Sequence, residues 1–155
     1  MTSMTRKILD LASFTVSGLA VRTRNSDEFN PATAKIGTMW AQFFSQQYPE
    51  KIPGQTPVAR MLGVYSGYES DASGAFDVTA GMAVETTSPE LATIEIQAGR
   101  YLAFECEGVM PAAVIQGWAQ VWTYFQTNSQ HQRRFATDFE DYLSPQKVLI
   151  YIGIE

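Results

Sequence analysis

The chain repeats its own plan. Trp40-Ala41-Gln42 and Trp118-Ala119-Gln120 lie 78 positions apart, and each tripeptide sits inside a helical pattern. In the first, Thr33 to Gln47, residues Ile36, Trp40, Phe43 and Phe44 follow i, i+4, i+7, i+8 spacing and make one apolar stripe. Pro31 stands just before it, where helices commonly start. In the second, Pro111 to Asn128, the stripe is Val114, Ile115, Trp118, Val121, Trp122 and Phe125. Around each helix the order of extended segments also repeats. TVSGLAVRT precedes the first, and RMLGVYSGYESD and AFDVTAGMAVE follow it. ATIEIQAGRYLAFECEG precedes the second, and RRFATDFEDYL and KVLIYIGIE follow. A shared tripeptide can be coincidence, but a shared order of elements argues for duplication. The expected fold is α+β: duplicated β-α-β-β units with pseudo-twofold symmetry, one antiparallel sheet and two long helices. One domain is expected over residues 1–155, with internal repeats at about 10–87 and 91–155. A junction between such halves is a natural place for a cleft.

Composition narrows the function. The 155 residues carry a net charge of −5 without a basic stripe, which disfavours direct binding to nucleic acid. Cys106 is the single cysteine, so no internal disulfide is expected and a reducing, cytoplasmic setting fits best. With His131 the single histidine, neither a metal site nor a cofactor is expected. After Arg6-Lys7, the run ILDLASFTVSGLA is broken by Asp10 and continues as an alternating segment. It reads as the first strand rather than a leader, and no run approaches the roughly 20 apolar residues of a membrane span.

The chemistry-bearing stretch is FATDFEDYL, residues 135–143. As a strand it places Asp138, Glu140 and Tyr142 on one face, and Thr137, Phe139 and Asp141 on the other. Two readings stand. One is a solvated edge strand with Arg133 and Arg134 as counter-charges. The other puts Glu140 at the floor of an aromatic cavity, where a lone carboxylate needs a partner and an organic cation can supply it. Tyr68-Glu69 in GYESD aligns with Phe139-Glu140 71 positions on, so Glu69 is the first-half counterpart; its alternative reading is a turn entry before SDASG. The helical Trp and Phe residues read first as core. No nucleophile motif, phosphate loop or metal cluster is present, so any catalysis would rest on carboxylates and tyrosines.

These segments together resemble the GyrI-like, AraC-type effector-binding domain family. The residues that carry the likeness are GVYSGYESDASGAFDVTAGMAVE, IQAGRYLAFECEG, the helix with Trp118, Trp122, Tyr124 and Phe125, FATDFEDY and VLIYIGI. The resemblance implies an aromatic pocket with a buried glutamate that receives lipophilic cations, as in multidrug-sensing MerR-type activators. The family's glutamate falls on Glu140 and its tyrosine on Tyr142, with Tyr68 at the matching place in the first half. Trp40, Phe104, Trp118 and Trp122 are the expected walls. The likeness begins near residue 10, which leaves no room for a DNA-binding domain. A stand-alone module is therefore expected, similar to integron-cassette drug-binding proteins, acting alone, as a homodimer or with a separate regulatory protein. Two alternatives come with the family: hydrolysis of cyclopropane-bearing genotoxins by Glu140 and Glu69, and gyrase-inhibitor-like interaction.

Overall fold

A computed structural model describes residues 6–71, 73–128 and 130–155. The elements run β1 (Arg6–Leu11), β2 (Phe14–Thr23), α1 (Asn25–Glu28), α2 (Ile36–Ser45), α3 (Tyr48–Lys51), β3 (Met61–Ser66), β4 (Phe76–Val84), β5 (Ala92–Ile96), β6 (Gly99–Glu107), α4 (Ala112–Thr127), β7 (Asp138–Ser144) and β8 (Lys147–Gly153). All eight strands form one antiparallel sheet in the order β1-β6-β8-β7-β3-β4-β2-β5. The expected duplication is visible in that order. β2-α2-β3-β4 and β6-α4-β7-β8 are arranged symmetrically about the central β3/β7 pair. α2 packs on β2 and β4, and α4 packs on β6 and β8.

Each half carries one strand more than the sequence pattern indicates. The alternating run near the N-terminus is two strands, broken at Ala12–Ser13, and the segment before α4 is two strands, broken at Gln97–Ala98. Both breaks have the same consequence. β1 lies at one edge of the sheet, β2 next to the other edge, and three Cα steps join Leu11 to Phe14. Three steps reach about 11 Å, whereas six strand spacings in a flat sheet need about 29 Å. The sheet therefore curls until its ends meet. The helix-free face curves around an apolar core, where Val16 and Ile96 from one end pack with Tyr101 and Ala103 from the other, around Leu62, Val64, Phe139 and Tyr151.

α2 is shorter than its apolar pattern. Residues 30–34 turn instead, held by Thr33 Oγ1 donating to the Asp27 carbonyl. The Glu28 carboxylate then accepts the Lys35 and Ile36 backbone N–H groups, placing a negative charge at the helix start. Gln47, at φ 59°, ends it. The stripes are also narrower than read: Phe44 and Ile115 face solvent, while Met39, Gly117 and Tyr124 are buried.

Gly117 lets α4 approach β6. A Cβ there would stand 2.3 Å from Cys106 Sγ and 3.0 Å from Ile150 Cδ1. Gly117→Ala is expected to cost about 1–3 kcal/mol by overpacking. In Gly117→Ala/Cys106→Ala the space vacated by sulfur should make the loss smaller than the sum of the two single changes. Denaturant midpoints of the three variants check this; strict additivity would disprove the contact.

Candidate functional site

The site grows from β7. Its strand starts at Asp138, later than the expected Phe135, because Phe135 adopts φ 52°. Alternation from there turns Glu140 and Tyr142 to the helix side, while Phe139 enters the apolar core on the opposite face. Glu140 is 3 % exposed. Tyr65 OH donates to its Oε2 at 2.8 Å, Trp118 Nε1 to the same oxygen at 2.6 Å, and Tyr142 OH to Oε1 at 2.6 Å. The Tyr65 and Trp118 rings are 4.8 Å apart, and Trp40 meets Tyr142 at 5.3 Å. A carboxylate thus sits in an aromatic box with three donors.

The box lies on the pseudo-twofold axis. Glu140 pairs across the strands with Gly63. Tyr65 and Tyr142 are 77 positions apart and donate to opposite oxygens of the same carboxyl. Trp40 and Trp118, 78 apart, come in from the two helices. Gly63 is the space the carboxyl needs, since a Cβ there would lie 2.8 Å from Oε1 and 3.1 Å from Trp40 Cζ2. This corrects the assignment of Glu69 as counterpart of Glu140. β3 ends at Ser66, so Glu69 falls in the following turn and is exposed. The mate of Glu140 is Gly63.

The other expected wall residues are dispersed. Phe104 is fully buried under α4, packed on Tyr124, with the β8 strand between it and Glu140. Trp122 is half-buried, one face against the ring of Phe29. Tyr68 donates to Asp138, 2.5 Å away, rather than to Glu140. Tyr65 and Gly63 went unread in the sequence, although Tyr65 stands at nearly the tryptophan offset from Tyr142.

For Asp138 and Asp141 the reading of a solvated edge strand fails, since β7 lies at the centre of the sheet. Both are buried. Asp138 pairs with Arg133 at 2.7 Å, and Asp141 with Arg60 at 3.1 Å. Among the described residues, no basic side chain pairs with Glu140.

Burial raises the pKa of Glu140, opposed by the hydrogen bonds from Tyr142, Trp118 and Tyr65. Burial first, and then the Glu140 charge, hold the Tyr65 and Tyr142 phenols well above their usual range, so both remain donors. The same two causes, with Glu105 added, push the Cys106 thiol up to about 11.

In place of the expected open cleft, the junction is filled by rings. A groove of about 350 Å³ lies elsewhere, between α3 and the turn after β4, lined by residues including Tyr48, Lys51, Ile52, Glu90 and Leu91. A smaller one of about 70 Å³, lined by residues including Lys7, Leu9, Glu105 and Tyr151, opens on the helix-free face.

A duplicated β-α-β-β sheet with two helices closing over a buried acid defines an effector-binding module of the small-molecule-binding kind. The chain belongs to the family of integron-associated effector binding proteins, Cass2, which it matches over residues 7–154. It is similar to an integron cassette protein from the mobile metagenome of Vibrio cholerae, with 38% identity over 97% of this chain and 95% of that one, at TM-score 0.85. The structure of SAV2435 bound to tetraphenylphosphonium shares the fold at 21% identity, covering 98% and 94%, with TM-score 0.77. The C-terminal domain of EcmrR does so at 13% identity, covering 99% of each chain, with TM-score 0.61. No curated protein matches the chain.

Proposed function

We propose that the chain binds lipophilic organic cations, with Glu140 as anchor and Trp40, Trp118, Tyr65 and Tyr142 as walls. One observation carries the reading. Of the three acids on β7, Asp138 and Asp141 each have an arginine, and Glu140 has donors but, among the described residues, no counter-charge. Removing an ion from water costs several kcal/mol, and hydrogen bonds from neutral groups offset only part of it. A cation against the carboxylate supplies the rest, and each flanking ring adds roughly 0.5–2 kcal/mol of cation–π attraction. Rings and donors with only one formal charge favour apolar cations over hydrophilic ones. The tetraphenylphosphonium held by SAV2435, a protein of the same fold, is a ligand of this chemical type.

The test uses an isosteric pair. Titration with tetraphenylphosphonium, followed by tryptophan fluorescence, should saturate at micromolar concentration or below. Tetraphenylborate, equal in shape and opposite in charge, should bind far more weakly. Equal affinity for both would refute the charge-based reading. The pH dependence has a fixed sign. Because the Glu140 pKa is raised, its ionised fraction grows from the usual carboxylate range up to that raised value. Cation affinity should climb with pH through that window, with up to one proton released per ligand bound.

A further inference from the structure

Asp138 shares the helix-side face of β7 with Glu140, two residues along the strand and so about 7 Å away. It is fully buried, and its surroundings are those of a cation site. Tyr68 OH donates to Oδ2 at 2.5 Å, and the Gly153 N–H donates to Oδ1 at 2.8 Å. Arg133 supplies the cation. Its Nη2 lies 2.7 Å from Oδ2, and its guanidinium sits over the rings of Phe135 at 4.3 Å and Tyr68 at 5.8 Å. Arg133 Nε is buried without a hydrogen-bond partner, and Nη2 donates both to this carboxylate and to the Tyr68 oxygen. The two acids are connected through rings: Tyr65, the donor to Glu140, and Tyr68, the donor to Asp138, both touch Phe76.

We propose that Asp138, Tyr68 and Phe135 form a second organic-cation cage whose occupant in the resting chain is its own Arg133. By filling it, Arg133 restricts the ligand site to the single free carboxylate of Glu140 and so selects monocations over dications. The occupancy of the cage is read from Asp138 alone; the selectivity rests on the Glu140 reading above.

Arg133→Met tests both, because it keeps the apolar stem and deletes the head. The variant should melt below the wild type, and millimolar methylguanidinium should raise its Tm in a saturable way. Equal concentrations of sodium chloride should not, and the wild type should show no such gain. Arg133→Met/Asp138→Asn, which lacks the anchor, should lose the rescue. No rescue in Arg133→Met, or equal rescue in the double variant, overturns the cage. For selectivity, 1,5-bis(trimethylammonio)pentane is compared with hexyltrimethylammonium by calorimetry. The dication-to-monocation affinity ratio should be at least tenfold higher in Arg133→Met than in the wild type, and an unchanged ratio overturns the filter. If neither cation binds the wild type, the Glu140 reading fails, while methylguanidinium rescue still decides the cage. Should Arg133→Met not accumulate as soluble protein, Arg133→Gln carries the same measurements.

Discussion

Glu140→Gln is expected to weaken tetraphenylphosphonium binding by roughly 30-fold or more, while a neutral analogue such as triphenylphosphine oxide keeps its affinity within a few-fold. The substitution preserves shape. The amide oxygen can still accept from Tyr65 and Trp118, and its NH₂ can donate to the Tyr142 oxygen in place of the bond it now receives. What disappears is the charge, and truncating one side of a buried charged contact costs about 2 kcal/mol or more. A parallel loss for the cation and its neutral analogue would show that Glu140 only shapes the box. Stability gives a second readout. A carboxyl whose folded pKa is raised contributes stability that is present below its unfolded pKa and is lost as pH rises through the folded one. The ligand-free wild type should therefore lose stability on going upward through that window, and Glu140→Gln should flatten the trend. Saturating tetraphenylphosphonium should flatten it too, because the ligand neutralises the same charge.

Asp138→Ala should be the most damaging change on the strand, lowering stability by about 3–5 kcal/mol, because it leaves Arg133 buried without a counter-charge. For a domain of this length that corresponds to a Tm loss of roughly 10 °C. Three tethers go with it: Tyr68 after β3, the Gly153 amide at the end of β8, and the segment that carries Arg133. Asp138→Ala/Arg133→Met, which removes both charges, should recover part of the loss. A Tm within about 2 °C of the wild type for Asp138→Ala would show the ion pair to be dispensable.

The halves and their helices were legible because those signals are local: tryptophans at helical spacing mark them whatever lies elsewhere in the chain. The pattern of FATDFEDYL alone left a solvated edge strand and an inward Glu140 both open, and the inward Glu140 followed only from the family resemblance. Arg133, five residues before Asp138, was legible as its counter-charge, but the partner of Asp141 was not. Asp141 is neutralised by Arg60, 81 residues away, and that pairing exists only once β3 and β7 lie side by side. Glu69 misled because matching letters suggested a 71-residue offset, whereas the strands place mates 77 apart. The chain leaves β3 through Gly67 at φ 60°, where a side chain would strike Asp77, so Glu69 is carried off the sheet before it can face the helices. The break at Ala12–Ser13 has no glycine or proline to mark it, and its one sign in the sequence is a change of phase in the apolar positions, from Leu9 and Leu11 to Phe14 and Val16. Only the return of β2 to the far end of the sheet reveals the corner.

The pairing of Gly63 with Glu140 on the symmetry axis bears on how one buried acid can sit there at all. In a true homodimer of half-length chains, whatever residue occupies the axis must face its own copy. Two glutamates there would press like charges together and share a proton, and two glycines would leave no anchor. Joining the halves in one polypeptide releases that restriction. One copy keeps the acid, the other gives up its side chain to make room, and the tyrosines and tryptophans stay doubled around them. A single buried acid on a twofold axis therefore depends on covalent fusion: the enclosure can stay symmetric while its one charged group cannot.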